Sequence, residues 1–245
     1  MAGNLALVMS VSRVMLEVRN LSFAYGAGRI LSDISMTMAA SRVTCVMGRN
    51  GVGKTTLMRN IIGLLRPSEG SVVLDDVNVT RWPSHRRIRA GLSIVPQGRQ
   101  IFPTLTVQEN LRVGLESRRD GNKVIPDEIY ELFPILKSLS NRNGGDLSGG
   151  QQQQLAIARA LVGQPRILLL DEPTEGIQPN IIQQIGALLQ DLAKRKGLTI
   201  VLVEQYLGFV REFGHDYYVL DRGRVVSEGT TSEITTEIVR RHLSV

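Results

Sequence analysis

Val43-Thr44-Cys45-Val46-Met47 runs directly into Gly48-Arg49-Asn50-Gly51-Val52-Gly53-Lys54-Thr55, and the reading of this stretch decides the fold. The first five residues read as a buried strand; the next eight fit the pattern G-x-x-x-x-G-K-[ST] of a phosphate-binding loop. Its glycines let backbone N–H groups turn inward around phosphate oxygens, and a helix starting at Lys54 adds the positive end of its dipole. Lys54 supplies a cation for the β- and γ-phosphates, and the Thr55 hydroxyl is placed to ligate Mg²⁺. The candidate ATP-binding loop therefore comprises Gly48, Arg49, Asn50, Gly51, Val52, Gly53, Lys54, Thr55 and the adjoining Thr56. A strand before it and a helix after it make a mere glycine turn a poor explanation.

Working outward, short β-like runs alternate with helix-like ones, which is the pattern of an α/β fold. Strands are expected at 15–18, 35–38, 93–95, 167–170 and Thr199–Val203, and a hairpin at 217–220 and 224–227 around Asp221-Arg222-Gly223. The helix from Lys54 should stop near Arg66-Pro67, and another should cover 181–196. Between 106 and 163 the chain reads as helical: 106–118, 127–139 with a break at Pro134, and 151–162, with Asn143-Gly144-Gly145 supplying a turn.

A chain of 245 residues with 29 Lys+Arg and 23 Asp+Glu carries a formal charge of +6. That balance suits a phosphorylated ligand, an anionic membrane surface or a nucleic acid. The basic clusters Arg86-Arg87-Arg89, Arg118-Arg119, Lys194-Arg195-Lys196 and Arg240-Arg241 are small and scattered, and only 4% of residues are aromatic. They read as solvated faces, and no nucleic acid is expected as a partner. The single cysteine, Cys45, excludes an internal disulfide framework and reads as a small core residue. His85, His215 and His242 lack metal-ligand spacing and read as surface or turn residues. No run approaches the roughly 18–20 apolar residues of a membrane span, and residues 1–13 read as an extension outside the fold, not a signal peptide.

Two further motifs carry chemistry. Ile167-Leu168-Leu169-Leu170-Asp171-Glu172 is a buried strand ending in two carboxylates. Beside a phosphate loop, Asp171 is the candidate for the Mg²⁺ shell and Glu172 for the base that polarises a water. Leu147-Ser148-Gly149-Gly150-Gln151 opens a helix with a serine and two glycines, either an ordinary N-cap or a second phosphate cap. Head-to-tail pairing of two chains would bring each cap over the other chain's loop.

Taken together, the phosphate loop, Gln97, the 147–151 cap and Asp171-Glu172 resemble, in order and spacing, the ATP-binding subunit of an ABC transporter. The resemblance covers about 15–245. It implies a P-loop NTPase (RecA-like) α/β core at 14–97 and 164–245, with an antiparallel β subdomain, and a helical subdomain inserted at 98–163. It implies ATP sandwiched between two such subunits, Tyr25 stacked on adenine, and Gln97 reaching Mg²⁺ and the attacking water. The metal set it implies is Thr55, Gln97 and Asp171; the catalytic set is Glu172, Gln97 and Gln205. Leu147, Ser148, Gly149, Gly150 and Gln151 would complete the partner's ATP site. The segment after Gln97 would receive the coupling helix of a membrane subunit.

Val95-Pro96-Gln97-Gly98-Arg99-Gln100-Ile101-Phe102-Pro103 is similar to the ATPase subunits of branched-chain amino acid importers. Gly144 through Gln154, Asp171-Glu172-Pro173-Thr174-Glu175-Gly176-Ile177-Gln178-Pro179 and Val203-Glu204-Gln205-Tyr206 look more like the urea importer's subunit. That implies a peripheral subunit on the cytoplasmic face of the inner membrane. Its partners would be a second ATPase subunit (a heterodimer, with a homodimer as the alternative), two permease subunits and an external substrate-binding protein. Three positions depart from the general pattern: Gln205 replaces the usual histidine, Gln178 the usual aspartate, and Ser41 a turn glycine. An amide can hydrogen-bond a γ-phosphate but cannot take up imidazole's proton or charge at neutral pH, so equal roles for two ATP sites do not follow. Gln205 and Gln178 also resemble features of the same importer branch and do not read as inactivation. The alternatives are a non-transport ABC ATPase acting on DNA or ribosomes, which usually carries tandem cores or coiled-coil insertions, and a P-loop kinase, which needs neither the 147–151 cap nor Glu172.

Overall fold

The computed structural model describes residues 13–243. All but Arg13 of the 1–13 segment lies outside the described residues. The chain opens with a long antiparallel pair, β1 (Val14–Tyr25) and β2 (Gly28–Ala39). The strands expected at 15–18 and 35–38 are pieces of these. Register shifts between Val18 and Leu21 and again before Phe23 break the alternation, so the two-residue period is legible only in short runs. β3 (Val43–Met47) is the expected buried strand, and α1 (Lys54–Ile62) follows it. That helix stops before 65 because Gly63 takes φ 85° and bonds back to its last carbonyls.

β4 (Glu69–Leu74), β5 (Val77–Asn78) and α2 (Ser84–Arg89) come next, then β6 (Leu92–Val95). Between β6 and the next strand the chain is helical: α3 (Val107–Gly114), α4 (Asp127–Leu132), α5 (Pro134–Ser138) and α6 (Gly149–Val162). The break expected at Pro134 separates α4 from α5 at Phe133, and Pro134 occupies the first turn of α5. Thr106 caps α3 in a reciprocal pair with Glu109, and the helix tightens into a single 3-10 turn at Leu115–Ser117. β7 (Ile167–Asp171), α7 (Pro179–Lys196), β8 (Thr199–Val203), α8 (Leu207–Phe213), β9 (Asp216–Asp221) and β10 (Arg224–Thr230) complete the described chain apart from short terminal turns.

Two sheets result. The smaller is antiparallel, in the order β2-β1-β4-β5. The larger runs β10-β9-β3-β8-β7-β6, with every neighbour parallel except the terminal β9–β10 hairpin. Its central strands β3, β8 and β7 are buried along their whole length, as a covered parallel sheet requires. Val46, Ile167, Leu169, Val201 and Val203 face α1 and the antiparallel sheet; Cys45, Met47, Leu168, Leu170, Ile200 and Leu202 face the helical side. The period-2 alternation thus splits one run of valines and leucines between two cores.

The basic clusters are not uniformly solvated. Arg87 is 1% exposed and donates to the carbonyls of Trp82, Thr80, Asn60 and Ile61, the last two at the end of α1. It is a buried cap on the negative end of the helix that starts at the phosphate loop. Burial without a carboxylate lowers its guanidinium to about 10. Arg118 lies against Asp120 with its side chain nearly covered. Arg195 and Lys196 lie on the solvated face expected of them and pair there with Asp191 and Glu128. Cys45 is wholly buried and burial pushes its thiol up, which suits an inert core residue. His85 is exposed, His215 accepts the Val43 N–H through Nδ1 at 3.1 Å, and His242 sits 3.4 Å from Asp221. Ser41 takes φ 62°, the left-handed conformation for which glycine is the ordinary choice.

Candidate active site

The site forms where the parallel strands end. Gly48 follows β3, Gln97 lies two residues past β6, Asp171 ends β7, and Gln205 lies two residues past β8. Ligands of open α/β sheets bind outside these carboxyl ends. The turn itself demands glycine at both ends. Gly48 has φ 145°, and a Cβ there would lie 2.4 Å from the Leu220 carbonyl oxygen. Gly53 has φ 109°, and a Cβ there would meet Leu31 at 2.7 Å. Lys54 is then the first residue of α1, behind an N-cap at Gly53. Its side chain is 5% exposed, and its ammonium donates to the carbonyls of Gly48 at 2.7 Å and Arg49 at 3.0 Å and so folds over the loop. Burial lowers its pKa, opposed by the charges of Glu172 and Asp171. Val52 is half-buried against the core, so its contribution to the loop is backbone.

Glu172 is the meeting point. It sits in the left-handed region at φ 51°, its N–H donating to the Val203 carbonyl. Its Oε1 accepts from Gln205 Nε2 at 2.6 Å and lies 3.6 Å from Lys54 Nζ; its Oε2 accepts from Gln97 Nε2 at 3.2 Å. Gln205 also donates to Asn50 Oδ1 at 2.8 Å. Side chains from three separated segments, Lys54, Gln97 and Gln205, therefore converge on one carboxylate at the mouth of the phosphate loop. Such strain in a non-glycine residue persists where the surroundings over-determine it.

Beside it, Asp171 is 3% exposed, and its Oδ1 has no partner among the described residues. Burial pushes this carboxyl above its usual range, while the adjacent Thr55 hydroxyl pulls it down. An orphaned buried carboxylate oxygen next to a hydroxyl fits a hard cation. Among the described residues no cluster of three or more His, Cys, Asp or Glu could hold a metal ion. A hydroxyl, an amide and one carboxylate suit Mg²⁺, which keeps several ligands for phosphate and water. Thr55, Gln97 and Asp171 all line one cleft of about 720 Å³.

The remaining candidates stand apart from this cluster. Tyr25, at the β1–β2 turn, is 48% exposed and meets Phe23 edge-on, so its ring is available and is not a core tyrosine. Ser148 is the N-cap of α6 in a reciprocal pair with Gln151: Ser148 Oγ accepts the Gln151 N–H, and Gln151 Oε1 accepts the Ser148 N–H. This is the N-cap reading of the motif, and the first-turn N–H groups have no partner inside the helix. Leu147, just before Ser148, is 6% exposed and packs into the core, so its side chain anchors the cap. Gln178 is the exposed N-cap residue of α7 without a side-chain cap bond.

One residue escaped the sequence reading as a site residue. Glu204, 3% exposed, accepts from the Gln205 and Tyr206 N–H groups and from the Thr174 hydroxyl at 2.7 Å. Burial raises its pKa. It fixes the backbone of Gln205 and ties it to the turn after Glu172. A carboxylate one residue before Gln205 was the available signal.

The chain matches the model of the family described as ABC transporter over residues 31–175, well over half its length. This chain belongs to the ABC transporter ATPase family. It is 38% identical over 223 residues to the high-affinity branched-chain amino acid transport ATP-binding protein BraG of Pseudomonas aeruginosa, covering 91% of this chain and 95% of the relative. It is 32% identical over 227 residues to the lipopolysaccharide export system ATP-binding protein LptB of Haemophilus influenzae, covering 91% and 93%. Among solved structures, a dimeric post-hydrolysis ATP-binding cassette bound to ADP and phosphate is 26% identical with a TM-score of 0.79, covering 89% of this chain and 99% of that one. The cassette fold, a P-loop core with an antiparallel sheet, is thus the family's, and the chain is an ATPase of a transport system. Among the described residues no helix is long and apolar enough to cross a membrane.

Proposed function

We propose that this chain hydrolyses ATP to energise an importer whose channel lies in other subunits. The observation that carries the catalytic reading is the convergence of Lys54, Gln97 and Gln205 on Glu172. In this reading Lys54 and the loop N–H groups hold the β- and γ-phosphates, and Tyr25 stacks on adenine. Thr55, Gln97 and Asp171 hold Mg²⁺, which when bound neutralises phosphate charge. Glu172 takes a proton from the attacking water, and Gln205 and Gln97 orient that carboxylate. Glu204 keeps Gln205 in place.

Residues 148–151 cap the ATP of a second ATPase subunit, read as a different chain, with a second copy of this one as the alternative. The core comprises 14–97 and 164–245, and the helical insertion 98–163. A groove of about 490 Å³ between them, lined by His85, Ile88, Phe102, Val113 and Arg159 among others, is the seat of a permease segment. Two permease subunits place the chain on the cytoplasmic face of the inner membrane, with a binding protein on the other side.

For the cargo we propose urea, on the likeness of the 144–154 and 171–179 motifs to urea-importer subunits. A branched-chain amino acid is the second reading, favoured by the similarity to BraG. In this reading the site residues meet nucleotide rather than cargo, and LptB, named for a different cargo, is similar over as much of the chain. Uptake by the assembled system decides: urea but not leucine entering with ATP supports the proposal, and leucine but not urea overturns the cargo while leaving the ATPase intact.

A further inference from the structure

Three loops of the site meet at a side chain that the chemistry above does not use. Arg99, two residues past Gln97, sends Nη2 to the Glu175 carbonyl at 3.1 Å and Nη1 to Gln152 Oε1 at 3.4 Å. Its guanidinium lies against Gly149, where a Cβ would come within 3.3 Å of both terminal nitrogens, and near Gly176. Gln152 in turn donates to the Gly144 carbonyl just before the cap. Glu175 is held twice from the same loop, by Arg99 on its carbonyl and by Gln97 on its carboxylate at 3.2 Å. Arg99 and Gln100 are consecutive non-glycine residues with φ 66° and 45°, and their carbonyls accept from Arg159 Nη2 at 3.3 and 2.8 Å, at the other end of α6. The segment is thus gripped by α6 at both ends, in a backbone conformation that costs energy to hold.

We infer that Arg99 is a positioning residue that couples the chain's own ATP site to the cap it offers its partner. Gln97 and Glu175 line the cleft that holds Thr55 and Asp171; Gly149 and Gln152 begin the helix read as facing the other subunit's nucleotide. A planar fork with several fixed donors can hold both at once, which a point charge cannot. When Gln97 shifts on nucleotide binding, Arg99 carries the shift to residues 148–152, so that filling one site sets the cap for the other. This rests on the reading of 148–151 as a cap for the partner's ATP.

Amide hydrogen exchange on the full chain tests it, using Mg²⁺ and an ATP analogue with an imido β–γ bridge, at a dilution where light scattering shows monomers. In the parent, the analogue slows exchange at 48–56 and also at 148–152, the latter by about fivefold, the equivalent of one net hydrogen bond. In Arg99→Ala, protection at 48–56 stays and that at 148–152 falls below about twofold. Gln152→Ala, which removes the acceptor on the cap side together with the bond to the Gly144 carbonyl, gives the same split and serves if Arg99→Ala fails to fold. Unchanged protection of 148–152 in the folded variants, or none there in the parent, overturns the coupling. Ser148→Arg addresses the cap itself: full steady-state ATPase in that variant refutes the cap reading whatever the exchange data show.

Discussion

Glu204 offers the sharpest separation of structure from chemistry. Its carboxylate accepts the Gln205 and Tyr206 N–H groups at 2.7 and 3.0 Å and the Thr174 hydroxyl at 2.7 Å. Glu204→Ala removes the acceptor of three donors at a position only 3% exposed. At about 1 kcal/mol each the loss is about 3 kcal/mol, or about 6–12 °C in Tm for a chain of this size. The same change frees the Gln205 backbone, and with it the 2.6 Å contact to Glu172. Misplacement of an orienting group by an ångström costs up to about 100-fold, so kcat should fall by about 10- to 100-fold. Glu204→Gln keeps one oxygen for both N–H groups and turns its amide toward Thr174, so kcat should stay within about twofold of the parent. The pH dependence has a definite sign. The native state raises the Glu204 pKa above 4.5, so it binds more protons than the unfolded chain just above that pH. Parent stability therefore falls as pH rises through that window, and the Gln variant lacks this slope. Thermal melts from pH 4 upward should show the Gln variant gaining on the parent as pH rises. A pH-independent gap, or an Ala variant with unchanged kcat, would refute the reasoning.

Arg87→Met strips four donors from the carbonyls of residues 60, 61, 80 and 82 and should cost about 3–5 kcal/mol in denaturant unfolding; a loss under 1 kcal/mol would rule out the capping role. Gly48→Ala forces a Cβ to within 2.4 Å of the Leu220 carbonyl. The strain of the displaced loop should weaken binding of a fluorescent ADP analogue about tenfold or more with the fold retained. Tyr25→Ala should weaken ATP about tenfold through lost stacking while Tyr25→Phe binds as the parent does; equal losses in both variants would place the hydroxyl, not the ring, at the nucleotide.

The parts of this site that are local in sequence were legible there. The phosphate loop announces itself because glycine spacing, a lysine and a helix start must coincide within eight residues, and β7 because an apolar run ends in Asp171-Glu172. The N-cap at Ser148 was equally visible, although only the fold shows that Leu147 turns into the core. What the sequence could not disclose depends on remote partners. Arg87 sits among arginines that look solvated, and its burial requires the end of α1, 26 residues earlier at its nearest bond. Glu204 and Arg99 take their meaning from Thr174 and from Glu175 and Gln152, distant along the chain. β4 was missed because it opens with Glu69-Gly70-Ser71, poor strand formers that pair with β1 all the same. The extent of β1 and β2 was hidden by their bulges.

In the proposed mechanism Glu172, held by Gln97, Gln205 and Lys54, takes the proton of the attacking water. Steady-state phosphate release by purified Glu172→Gln, measured beside ATP binding by the same protein, tests it most directly. The amide keeps the shape and loses the base, so ATP should bind as in the parent while turnover falls by about 10²–10⁴-fold. Turnover equal to the parent's would contradict the assignment.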